Sequence, residues 1–132
     1  MRFDTKIAIV VRAGLLSWQQ LNVTAFLASG IAAANQETIG KPYQDRAGNM
    51  YTELFRQPVL IYEGDDLSQV HSRALARGLP AGVYTMEMFG TGNDDDNRAV
   101  VAAALTLDLA GIAVYGPRNA VDKVIKGVTL HP

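Results

Sequence analysis

From Ile7 to Val11 the chain runs Ile-Ala-Ile-Val-Val, and from Leu21 to Ala34 it runs LNVTAFLASGIAAA without a proline or a charged residue. The first run, short and largely β-branched, reads as a strand over Lys6–Arg12. With no polar alternation it suits a strand covered on both faces, hence a central parallel strand. The second run is long enough for a helix, broken only by Asn22, Thr24 and Ser29 before Asn35. A helix apolar on nearly every side is expected to be buried on most of them, against the sheet and under a further element or a second subunit. Asn22 and Ser29 are seven apart and share one helical face. Between the two runs, Leu16–Asn22 reads as a polar loop and opening helical turn. Open α/β sheets place ligands beyond the C-terminal ends of their strands, so Arg12, Trp18, Gln20 and Asn22 are the first candidates for ligand contact.

Composition narrows the possibilities. A chain of 132 residues, 48% hydrophobic and 19% charged, suits one globular domain over residues 1–132. No apolar run reaches the ~20 residues of a membrane span, and Met1-Arg2-Phe3-Asp4 lacks the pattern of a signal peptide. The absence of cysteine removes disulfides, thiolate nucleophiles and zinc–sulfur sites, and a cytoplasmic location is expected. Twelve basic and thirteen acidic residues lie dispersed, with a formal charge of −1. Proteins that grip phosphate backbones carry a basic excess or stripe, so nucleic acid is a disfavoured partner. The expected partners are a small-molecule ligand and a second copy of the chain.

The remaining elements follow from turn residues and periodicity. Tyr43 and Met50-Tyr51 flank the turn Ala47-Gly48-Asn49 and suggest a small hairpin. Pro58–Tyr62 reads as a second strand. A helix after it has Asp65 as N-cap, Leu67, Val70, His71, Ala74 and Leu75 on one face, and Gly78 as its stop. Val83–Phe89 reads as a third strand, with Glu87 inside it. Gly90–Asn97 reads as a loop that becomes a helix cap, leading to a helix over Arg98–Leu105. Ala110–Tyr115 is a fourth strand, and Asn119 caps a last amphipathic helix ended by Gly127. The order is β-α-β-α-β-(α)-β-α, a three-layer α/β/α domain with a four-stranded mixed sheet.

These motifs resemble the peptidyl-tRNA hydrolase II superfamily. Members open with a Lys-led apolar strand ending Val-Val-Arg, matched here by Lys6–Arg12. Gln57-Pro58-Val59-Leu60 resembles their entry to strand two, Ala74–Leu79 a helix end, and Ile112–Lys123 (IAVYGPRNAVDK) their closing segment. The resemblance implies the fold. It also implies where catalytic groups would stand: the lysine on Asn22, the glutamine on Phe26, the histidine on Ser29, and the acid near Met88 or Phe89. An amide cannot replace an ammonium as base or oxyanion holder, so peptidyl-tRNA hydrolysis is not expected. The sequence is most similar to a bacterial family of unknown function within that superfamily, with Leu-Asn-x-x-Ala-Phe-Leu-x-Ser-Gly on the helix.

Candidate chemistry is sparse. Trp18, Gln20 and Asn22 either satisfy backbone donors at the helix start or contact a ligand. Glu87, a carboxylate in a strand, is the acid–base candidate, with Asn22 holding a substrate carbonyl if the chain hydrolyses amides or esters. Arg12 either holds an anion or pairs with Glu87 or an aspartate. Asn93 borders the same region. Ser29 is expected to bond back to the Ala25 carbonyl. Asp94-Asp95-Asp96 suits helix capping better than a hard cation, since calcium-loop spacing is absent. Two distant histidines, His71 and His131, make no metal motif, and His131 is expected to fray. No metal or cofactor is expected. A structural or protein-interaction role, carried by the apolar helix at a dimer face, stands as a third reading.

Overall fold

The computed structural model describes residues 2–132. Strand β1 (Thr5–Arg12) is buried from Lys6 to Val11 and is the middle strand of five. The sheet order is β5 (Ala81–Thr85), β6 (Leu109–Pro117), β1, β4 (Val59–Gly64) and β7 (Thr129–Leu130). β1 runs parallel to β4, with Ile9 beside Ile61, and antiparallel to β6, with Ile9 beside Ala113. Continuous burial therefore identified a central strand, but only one of its neighbours is parallel. The sheet has five strands rather than the expected four. The fifth, β7, pairs Tyr62 with Leu130 and Glu63 with Thr129, and two residues are too few for a periodic signal.

Alternation along the strands sends side chains to two separate cores. Ile7, Ile9 and Val11 pack with Val23, Leu27 and Ile31 of α1 (Ser17–Ala34) on one face. Ala8, Val10 and Ile112 pack with Val70 and Ala74 of α2 (Ser68–Ala76) and Val121 and Val124 of α4 (Arg118–Val124) on the other. The layering is α/β/α. The short hairpin β2 (Tyr43–Gln44) and β3 (Met50–Tyr51) forms at the expected place, fastened by the Tyr51 hydroxyl donating to Asp45 at 2.7 Å.

Several boundaries differ from expectation, each for a local reason. Helix α1 starts at Ser17, so the expected Leu16–Asn22 loop is largely helical, and Gln19 reaches back to accept the Leu16 N–H at 3.0 Å. Only Val23, Leu27 and Ile31 of α1 are buried, whereas Leu21 is 71% exposed. The helix is covered on one stripe rather than on most sides. Asp66, not Asp65, accepts the Ser68 N–H at the start of α2. Gly78 ends that helix at φ +63°, where glycine is favoured, as expected. The third strand stops at Thr85, and Met86–Gly90 coils into a 3₁₀ turn. Helix α3 (Asp94–Ala103) begins four residues earlier than expected because Asn93 caps it, accepting the Asp96 N–H at 2.9 Å. α4 begins directly after Pro117, not at an Asn119 cap. Among the described residues, no helix is long and apolar enough to cross a membrane.

Candidate functional site

The end of β5, the 3₁₀ turn and α3 stand beside the N-terminal half of α1 and enclose an open cavity of about 760 Å³. That volume lies within the range of small-molecule sites. Its aromatic lining is continuous. The Trp18 and Phe89 rings meet edge-on at 5.7 Å between centroids, Phe89 and Tyr84 at 5.0 Å, and Tyr84 and Phe26 at 5.4 Å. Trp18 is 57% and Phe26 49% exposed, so large aromatic surfaces stand open to water at the mouth.

Tyr84 is the floor. It is buried at 3% exposure, and its hydroxyl accepts a hydrogen bond from Asn22 Nδ2 at 3.2 Å. Burial pushes the phenol above its ordinary pKa, partly offset by that bond, so it is protonated and able to donate at neutral pH. Across the cavity, Thr91 Oγ1 lies against Asn97 Oδ1 and 2.9 Å from the Met88 carbonyl. Arg98 pairs with Asp94 and stands 3.8 Å from Asp95, all three exposed. Among the described residues lining the cavity, the charges therefore cancel at the rim.

The expected site residues divide. Trp18, Asn22 and Asn93 line this cavity together, though Asn93 is occupied as a helix cap by bonds to Asp96. Gln20 faces the other side of α1. There its Nε2 donates to the Arg12 carbonyl at 3.1 Å and to Glu63 at 3.2 Å, while its Oε1 lies 2.9 Å from His131 Nε2. Gln20 and His131 border a second cavity of about 470 Å³ with Val11 and Ile61. His131 does not fray: its ring is also 3.1 Å from Glu63, and its backbone N–H reaches the Ile61 carbonyl at 2.9 Å. Arg12 lines neither cavity and pairs with Asp108, the aspartate alternative to Glu87. Glu87 is not a strand residue. It is exposed on the 3₁₀ turn and absent from the lining, because the chain coils two residues earlier. The Asp94–Asp96 run forms the first turn of α3. Ser29 bonds to the Phe26 carbonyl at 2.5 Å, one residue nearer than Ala25.

Tyr84 and Asn97 were not among the residues expected at a site, whereas Phe89 lies where the resemblance puts an acid. The usable signal was Tyr84: a hydroxyl in an apolar strand needs a buried partner. The partner was the amide already singled out on the facing helix.

The family described as a protein of unknown function (DUF2000) matches residues 5–132. A solved structure of a protein of unknown function from Agrobacterium tumefaciens strain C58 is similar at 45% identity and a TM-score of 0.96. That match covers 99% of this chain and 100% of the other. No curated protein matches the chain.

Proposed function

The chain belongs to the DUF2000 family, and on that footing we propose that it binds a small molecule, on a peptidyl-tRNA hydrolase II-like scaffold without peptidyl-tRNA hydrolase activity. The observation that carries the reading is the buried Tyr84 hydroxyl held by Asn22 at the base of an aromatic-walled cavity of about 760 Å³. A few placed polar groups within apolar walls are what a small-molecule site requires. The scaffold assignment is supported by the Val-Val-Arg strand and the Gly-Pro-x-x-Ala-Val-Asp-Lys close, which share one sheet as β1 and β6 leading into α4.

The hydrolytic alternative has less support. Among the described residues in the lining, the one carboxylate is Asp94, which is already paired with Arg98. A cytoplasmic setting goes with the binding reading and is supported by the cysteine-free composition. So does a symmetric pair of subunits, supported by the uncharged, exposed outer face of α1.

The test is a fragment screen followed by two-dimensional amide NMR. Saturable shifts are expected on Trp18, Asn22, Tyr84 and Asn97, with a change in the emission of the single tryptophan. Shifts confined to the Gln20–His131 side, or no saturable binder, would overturn the reading. Asn22→Lys gauges hydrolase ancestry separately: a gain of peptidyl-tRNA cleavage supports it, and no gain counts against it.

A further inference from the structure

Resting on that reading of the cavity, we infer that its ligand is an uncharged planar heterocycle presenting a lactam or imide edge, an N–H beside a C=O. The pair at the floor sets this edge. Asn22 Nδ2 donates to the Tyr84 oxygen at 3.2 Å. This bond leaves two groups unspent and adjacent: the Tyr84 hydrogen, a donor, and Asn22 Oδ1, an acceptor. Turning the amide over changes nothing essential. Asn22 Oδ1 would then accept from the tyrosine, leaving Nδ2 as donor and a phenolic lone pair as acceptor. In either arrangement the floor offers one donor next to one acceptor. The complement of such a pair is a carbonyl next to an N–H, held in the cis geometry that a ring imposes.

The walls specify the rest. Trp18 and Phe26 present half-exposed rings, and Phe89 bridges Trp18 to Tyr84. A flat ring seated on the Asn22–Tyr84 pair would cover these surfaces, and aromatic side chains stack on heterocycles whatever their substituents. Charge is excluded by what is missing. Arg98 is the one basic and Asp94 the one acidic residue among the described lining residues, and the two pair with each other. A phosphate or carboxylate on the ligand would find no free cation there.

Uracil, 1,3-dimethyluracil, uridine and uridine 5′-monophosphate separate these elements, with Trp18 emission and amide shifts at Asn22 and Tyr84 as readouts. Uracil is expected to bind, and 1,3-dimethyluracil, which lacks the N–H, to bind at least about tenfold more weakly, because the acceptor that the ring covers is left unpaired. Tyr84→Phe, which keeps the ring and its packing, is expected to shrink that difference. The monophosphate is expected to bind no tighter than uridine. Equal binding of uracil and its dimethyl form would overturn the lactam edge while the cavity remained a binding site. Tighter binding of the monophosphate would overturn the uncharged class. If apolar aromatic fragments shift the same amides but uracil does not, the inference fails alone. If no compound shifts them, the inference and the functional reading fail together.

Discussion

Replacing Gly111 by alanine tests whether the close seat of α1 on the sheet holds both the fold and the site. Gly111 lies in β6 between Val11 and Tyr84 on the face that α1 covers. A methyl group there would overlap Val23 Cγ1 and stand 3.0 Å from Leu27 Cδ1 and 3.2 Å from the Val10 carbonyl oxygen. Comfortable carbon contacts are about 3.5–4.0 Å. The shortfall at Leu27 alone is therefore roughly half an ångström to one ångström, and the Val10 oxygen, being backbone, cannot rotate away. Overpacking of this kind costs about 1–3 kcal/mol, and we expect the upper half of that range. In a chain of this size that is a fall in Tm of several degrees. Lifting α1 by a comparable distance also stretches the 3.2 Å Asn22–Tyr84 bond past the hydrogen-bonding limit. The assay is urea unfolding of Gly111→Ala, Val23→Ala and the double variant. Val23→Ala removes the overlapping methyl, so the double variant should be more stable than the sum of the two costs by about 1 kcal/mol. A Gly111→Ala cost below about 0.5 kcal/mol, or strict additivity in the double variant, would refute the reasoning.

Three further outcomes follow from other parts of the molecule. Lys6 donates to Asp122 at 2.7 Å beside the Tyr62 ring; burial pulls its pKa down, but Asp122 and Tyr62 outweigh it and leave the value above 10.5. Because the folded state holds this proton more tightly, its contribution is complete below pH 10.5 and is lost as pH rises through the folded value. Lys6→Met should cost about 1–2 kcal/mol at neutral pH and flatten the alkaline loss of stability in denaturant titrations. The part due to the raised Tyr84 pKa, which has the same sign above pH 10, should remain. Ala25→Arg puts a charge on the exposed, uncharged face of α1 and should convert the proposed dimer to a monomer in sedimentation, with a Tm that no longer depends on protein concentration; a wild-type monomer at micromolar concentration would remove the basis for that pair. His131→Ala removes the ring that meets Gln20 and Glu63 and should raise exchange of the backbone amide at position 131, corrected for its intrinsic rate, about five- to tenfold, the factor a bond of ~1 kcal/mol implies. Unchanged exchange there would mean that the ring does not hold β7 in place.

The functional reading depends on how the polar residues of α1 divide. Gln19 and Gln20 look alike beside Asn22 in the sequence. Gln19 reaches the Leu16 N–H, Gln20 joins the Glu63–His131 group, and only Asn22 meets Tyr84. A helical step of about 100° turns neighbouring side chains to different surroundings. Adjacency in the chain therefore could not say which amide belonged to a site. The expected place of Glu87 changed for a related reason. An alternating strand through Phe89 would put it on one face with Thr85 and Phe89, but the chain coils after Thr85 and leaves it exposed.

Local pattern alone determined the central strand, the helix that follows it, the turn glycine at 78, the hairpin and the two-sided sheet. Each of these rests on residues within a few positions of one another, where burial and turn chemistry act directly. Tertiary structure decided the fifth strand, the antiparallel neighbour of β1 and the meeting of Asn22 with Tyr84 across 62 positions. Those contacts join segments that are distant along the chain, and their energy exists only once the sheet has brought them together.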